Sequence, residues 1–310
     1  MNTVTATAAP AKTKGPIVWL DMDQQQLDDA YDQNVYAKNR ERVVARRIAA
    51  SERARAILGP PRRVAYGISE YEQLDIFRTP SPASGAAKEA GAPVNVFIHG
   101  GAWRRNKAAD YALQAEPLLR AGAHAVIVDF INVDQAGGDL LPMYQQVCRA
   151  IAWTWRNADK FGGDRERFYI SAHSSGSHLA GCALTLGWRE QDLPENFCKG
   201  ALLASGMYDL APVRLSKRSA YVTFTDAMVE KLSARRHLDG LHTPLVVAHG
   251  TFETPEFQRQ SREFTAAAKA AGKPVELLVG EGYNHFEMLE TLANPYGLLG
   301  RAMLNQMRLT

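Results

Sequence analysis

The chain is poor in the features that mark several classes of protein. It has three cysteines in 310 residues, Cys148, Cys182 and Cys198, and no CxxC pair. An odd, scattered set with no histidines nearby in ligand spacing excludes a disulfide framework and a zinc site, and it fits a reducing, cytoplasmic compartment. No stretch approaches the roughly 18 consecutive apolar residues of a membrane span. Residues 1–15 lack the apolar centre of a secretion signal, so 1–19 read as a flexible tail. No excess of either charge stands out: 36 Lys and Arg face 33 Asp and Glu, a net +3. That is too little to argue for a nucleic-acid or membrane partner. No repeat recurs at a period of about 20–50 residues. What is present is an ordinary globular balance, 46% hydrophobic and 22% charged, which rules out disordered, collagen-like and coiled-coil chains.

Along the chain, 20–60 reads as a helical extension. Leu27, Ala30 and Tyr31 share one helical face, and an Ala/Arg-rich stretch follows until Gly59-Pro60-Pro61 stops it. Between Lys38 and Arg63 stand nine Lys/Arg and two Asp/Glu. This run is either a site for an anionic partner or, as the preferred reading, the solvated side of a helix with Val43, Val44, Ile48 and Ile57 turned inward. After Pro61 short apolar runs recur at 62–66, 73–77, 94–99, 124–130, 167–172, 200–205, 244–249 and 275–279. The first two are close enough for a hairpin. The later ones are continuous, such as Ala125-Val126-Ile127-Val128, which suits strands buried on both faces. The intervals 108–121, 140–161, 177–188 and 257–271 are long enough for crossover helices. The expected fold is α/β: a mostly parallel eight-stranded sheet covered by helices, all within 20–310. The stretch 81–91 is a small-residue loop, and 207–243 is an insertion placed to form a small cap.

Ala172-His173-Ser174-Ser175-Gly176 joins an apolar strand to a small-residue helix. That is the context of a nucleophile elbow, with alanine in place of the usual first glycine. The alternative is that Ser174 merely caps the helix. Phe97-Ile98-His99-Gly100-Gly101-Ala102-Trp103 follows another strand. Its backbone N–H groups, from Gly101 and Ala102, together with that of Ser175, form a candidate oxyanion hole; the alternative is a plain strand-end turn. A serine needs a base. His285, past the last strand, is preferred to His249, while His99, His173 and His178 are expected to be structural. The orienting acid is Glu253, preferred to Glu256, which falls in the first turn of a helix. The order Ser, acid, His suits the architecture.

These residues resemble the α/β-hydrolase superfamily, in the branch of arylformamidases (kynurenine formamidases) and the carboxylesterases related to hormone-sensitive lipase. The resemblance runs from about Leu20 to the end and includes Tyr31-Asp32, Leu74-Asp75-Ile76, Phe161-Gly162-Gly163-Asp164 and Ser205-Gly206-Met207-Tyr208-Asp209-Leu210. His99-Gly100-Gly101-Ala102-Trp103, in place of His-Gly-Gly-Gly, tilts it toward the formamidases. It implies a serine hydrolase that cleaves a small amide through an acyl-enzyme. The alternatives are a short-chain carboxylesterase and, more remotely, a non-catalytic ligand-binding member of the fold. No metal or organic cofactor is implied. Gly100, Trp103, Arg104 and Tyr208 are candidate substrate contacts, though Trp103 equally suits closing its loop, and Asp209 reads as a helix N-cap. The expected partner is a small amide or ester, with no nucleic acid and no membrane; a homodimer is left open.

Overall fold

A computed structural model describes residues 14–80, 91–105 and 107–310 of the chain. Residues 1–13 of the expected tail and 81–90 of the small-residue loop lie outside the described residues. The tail does not extend to residue 19. Ile17–Trp19 (β1) pairs antiparallel with Met22–Asp23 (β2), and the Gly15 N–H donates to the Asp23 carboxylate at 2.9 Å.

The central sheet has eight strands: Arg62–Ala65 (β3), Gln73–Phe77 (β4), Ala92–Ile98 (β5), His124–Val128 (β6), Gly163–His173 (β7), Gly200–Ala204 (β8), Leu245–Gly250 (β9) and Val275–Gly280 (β10). Their order is β10-β9-β8-β7-β5-β6-β4-β3. β5 to β10 run parallel, while β4 is antiparallel to both β3 and β6. Alternate residues of the inner strands enter opposite apolar layers. Val94, Val96 and Ile98 pack with the helix Leu141–Arg156, whereas Phe97 and Ile127 pack with the helices Ala115–Arg120 and Leu298–Gln306. Both faces are therefore dry, which is why these strands read as unbroken apolar runs.

The strand order reverses at β5, so the chain leaves β5 and β7 side by side at the same sheet edge. That switch point is where open α/β sheets bind ligands. The register pairs Ile98 with Ala172, so two residues further along Gly100 meets Ser174. A Cβ on Gly100 would lie 2.7 Å from the Ser174 Cβ, and one on Gly176 would overlap the Ile98 carbonyl oxygen. Both positions need glycine for close approach, whereas Ala172 is buried without such a clash.

The basic helix, Arg40–Leu58, departs from the expected facing. Val43, Arg47, Ser51 and Ala54 point inward, whereas Ile48 and Ile57 are exposed by 38% and 51%. The helix packs on the 3₁₀ turn Ala108–Gln114, where polar side chains find partners: Ser51 Oγ donates to the Asp110 carbonyl at 2.8 Å and Arg47 to the Tyr111 hydroxyl at 3.2 Å. Val44 lies at the wall of a cavity instead of in the core. The insertion 207–243 folds as short helical segments, and its Lys217–Ala220 turn forms part of that same wall.

Candidate active site

The turn after β7 places Ser174 at φ 59°, ψ −128°, a strained conformation for a residue with a Cβ. It is held there by its neighbours. Its N–H donates to the Ala204 carbonyl at 2.9 Å, and the helix Ser175–Cys182 starts immediately after it. Ser174 makes no side-chain cap to that helix. Its hydroxyl instead lies 2.8 Å from His285 Nε2, and Glu253 Oε2 lies 2.8 Å from His285 Nδ1. All three side chains are buried, and Ser174 and His285 line a cavity of about 290 Å³ with Glu253 behind them.

Each member is braced by a separate element. Glu253 Oε1 accepts the Ser205 hydroxyl at 2.6 Å and the Gly250 N–H at 2.8 Å, and Oε2 also accepts the Gln33 amide at 3.3 Å. His285 opens the helix His285–Glu290, whose Asn284 N-cap accepts the N–H groups of Phe286 and Glu287. Asn284 in turn donates to Asn39 at the start of the extension helix. The extension thus supports both the acid and the histidine. Ser205 follows an apolar strand at the same edge as Ser174, a position that could have marked it in the sequence. Gln33 and Asn39 carry no such mark.

The expected structural histidines are structural in geometry. His173 Nε2–H donates to the His285 carbonyl at 2.9 Å, with the two rings 4.6 Å apart. The His178 Nδ1 accepts the Trp103 indole N–H at 3.2 Å, and its Nε2–H donates to the Leu232 carbonyl at 2.8 Å. His99 stacks between Tyr111 and Phe130. His249 is the penultimate residue of β9, with Nδ1 3.2 Å from the Gly250 carbonyl, and it is not among the described residues that line the cavity with Ser174. Burial pushes the basicity of His99, His173 and His178 down, that of His178 to about 4; for His173 the nearby His285 adds to the effect.

These buried rings have a consequence for stability. In the unfolded chain each histidine takes a proton near pH 6.5. In the fold it resists protonation, so below that pH the unfolded state binds more protons and stability falls as pH falls. Each ring contributes a slope of up to about 1.4 kcal/mol per pH unit, and for His178 this continues down to about pH 4. The urea midpoint should therefore drop steeply between pH 7 and pH 5; a flat profile would contradict this burial.

The oxyanion-loop residues are placed unevenly. Gly101, Ala102 and Trp103 all have positive φ, at 125°, 55° and 63°. The N–H groups of Gly101 and Ala102 carry no hydrogen bond among the described residues, and both residues line the cavity. Ser175 begins its helix, where the first N–H groups have no intrahelical acceptor. The Trp103 N–H, by contrast, faces Ser175 Oγ at 3.2 Å. Trp103 and Tyr208, expected as substrate contacts, are buried, and neither is among the described residues that line the cavity. Trp103 is anchored by its indole N–H to His178, and Tyr208 stacks on Phe264 at 4.1 Å with its hydroxyl facing the Leu203 carbonyl. Each has a polar tip that finds its partner inside the core, which is what a buried aromatic of this kind requires. Gly100 also lies beneath the site, packed on Ser174. Arg104 does reach the cavity wall, paired with Asp134 at 2.9 Å. Asp209 accepts the Ala211 N–H at 3.0 Å in a local turn and caps no helix. Glu256 lies in the first turn of Pro255–Ala270, bonded to Tyr31 and Arg259. Among the described residues no group of three or more His, Cys, Asp or Glu side chains is arranged to hold a metal, and no helix is long and apolar enough to cross a membrane.

The family model described as BD-FAE matches residues 74–201, which span the oxyanion loop and the serine turn. A protein of Danio rerio named kynurenine formamidase is 28% identical over 92% of this chain and 97% of its own length. The protein of that name from Salmo salar is 27% identical over 93% and 98%. Among solved structures, a putative thioesterase from Silicibacter sp. TM1040 superposes with a TM-score of 0.73 at 20% identity, covering 89% of this chain and 97% of that one. The chain has the α/β-hydrolase fold and is a hydrolase, and it is similar to the branch of arylformamidases and esterases related to hormone-sensitive lipase.

Proposed function

We propose that the protein is a serine hydrolase that cleaves a formyl or short acyl amide of an aromatic or conjugated compound. The observation that carries this is the hydrogen-bonded chain Ser174–His285–Glu253, whose serine and histidine line a cavity. His285 Nε2 accepts the Ser174 proton as Oγ attacks the carbonyl carbon. The oxygen that becomes negative is received by the N–H groups of Gly101, Ala102 and Ser175. Glu253 accepts from Nδ1–H and holds the imidazole in the tautomer that leaves Nε2 free. When the tetrahedral intermediate collapses, the amine leaves with the proton now on His285. Water, deprotonated by the same imidazole, then hydrolyses the acyl-serine and frees the carboxylic acid.

The amide preference is supported by the relatives named kynurenine formamidase, which match nearly the full chain. The cavity of about 290 Å³, walled in part by Tyr221 and Phe286, suits a single ring with a small acyl group. The test is kcat/KM for formanilide-type amides against phenyl and butyrate esters of matched size. Formyl amides should be turned over, and short aryl esters too, because phenolate leaves more easily than an amine. Refusal of every amide, with preference for acyl chains longer than butyrate, would replace this reading with that of a carboxylesterase.

A further inference from the structure

The cavity wall is strongly cationic. Arg40, Arg47, Arg104, Arg105, Lys217 and Arg218 line it, and Asp32 is the one carboxylate among the described lining residues. Asp32 is already held by Lys217 Nζ at 2.5 Å, and Arg104 is held by Asp134.

Arg218 stands apart from the others. It is only 6% exposed, yet among the described residues it has no carboxylate within ion-pair distance. Two of its N–H groups donate to neutral oxygens, the Tyr221 hydroxyl and the Tyr31 carbonyl, each at 3.0 Å. Its guanidinium lies 5.3 Å from the Trp103 ring centre and 5.9 Å from that of Phe257, and its Nε is buried without an acceptor. A purely structural strut between extension, cap and oxyanion loop explains the two bonds. It does not explain a buried positive charge with no anion beside it, which is unfavourable unless a counter-charge arrives. The same side chain forms part of the cavity that holds Ser174.

We propose that Arg218 anchors a carboxylate of the substrate, so that the site takes an anionic aryl amide bearing a carboxylate and no ammonium group. Ammonium is disfavoured because the lining carboxylate is already engaged and five further cations surround the space. This rests on the amide reading above, but its anion requirement is separable from the choice of amide or ester.

The experiment uses two matched pairs: 2-formamidobenzoate with formanilide, and 2-acetoxybenzoate with phenyl acetate. In the wild type the carboxylated member of each pair should have the higher kcat/KM by roughly tenfold or more, through KM. Arg218→Met should collapse that ratio toward one, by roughly 10–100-fold, and Arg218→Lys should retain part of it. A formanilide carrying both a carboxylate and an ammonium on its side arm should be poorer than 2-formamidobenzoate. Independently of turnover and of any variant, calorimetry on the wild type should show benzoate binding and benzamide not. An inert amide pair beside an ester pair that keeps the carboxylate preference would overturn the amide reading alone. Equal loss on both members of each pair, a wild-type preference for the neutral members, or benzamide binding as well as benzoate would overturn the role of Arg218.

Discussion

Ser174→Ala is expected to lower kcat by roughly 10⁴–10⁶ while leaving the melting temperature nearly unchanged. The nucleophile, base and acid act as a unit, so loss of the first removes the contribution of all three, and only binding and oxyanion stabilisation remain. The fold should not respond. The hydroxyl contacts His285 and caps no helix, and alanine keeps the Cβ that already tolerates φ 59°. Steady-state kinetics with a thermal melt decide the matter, and a fluorophosphonate adduct mapped by mass spectrometry supplies a second check. Near wild-type turnover would remove Ser174 from its role. So would an adduct on Ser175, whose hydroxyl is already engaged by the Trp103 N–H.

His285→Ala should be almost as damaging, and Glu253→Gln less so, with a loss of roughly 10⁴ or smaller. The reasoning for glutamine is specific to this site. The carboxylate oxygen Oε1 of Glu253 accepts from Ser205 and Gly250, so the amide that replaces it would be held with its oxygen toward those donors. Its NH₂ would then face His285 Nδ1 as a donor. The imidazole would have to place its proton on Nε2, where it cannot accept from Ser174. The defect should therefore appear in kcat, with KM little changed. His249→Ala is the control, since that ring is not among the described residues that line the cavity with Ser174. If His249→Ala abolished turnover and His285→Ala did not, the base would have been misassigned.

How far the sequence discloses this protein depends on whether a property is local. The inner strands of the main sheet were legible because two dry faces demand mostly apolar residues, and Ala125-Val126-Ile127-Val128 cannot be mistaken for an exposed segment. The short β1–β2 ribbon was not legible, because three residues and two residues give no periodicity. The facing of Arg40–Leu58 misleads for another reason. Apolarity selected Ile48 and Ile57, but the helix meets a polar turn, so Arg47 and Ser51 take the inward side. At the site, Ser174, Glu253 and His285 could be nominated because each follows a strand on the same edge. Trp103 and Tyr208 sit in informative motifs, yet motif position says nothing of side-chain direction, and both turn into the core. Gln33 and Arg218 were invisible: each is one ordinary polar residue whose importance comes from what a distant part of the chain brings to it.

That distance bears on how activity is gained and lost. Ser174 and His285 are separated by 111 positions, and Gln33 and Glu253 by 220. None of these links can exist until long loops have closed, and closures of this kind come late on a folding path rich in non-local pairing. Turnover should therefore return after helix content on dilution from denaturant, making catalysis a reporter of the last docking event. In the reverse direction, a fluctuation that peels the extension from the sheet would withdraw Gln33 and Asn39 from the acid and the base while the sheet stayed shut. Inactivation would then precede global unfolding, and the working limit of the enzyme would be set by the adhesion of its first helices, not by the strength of its core.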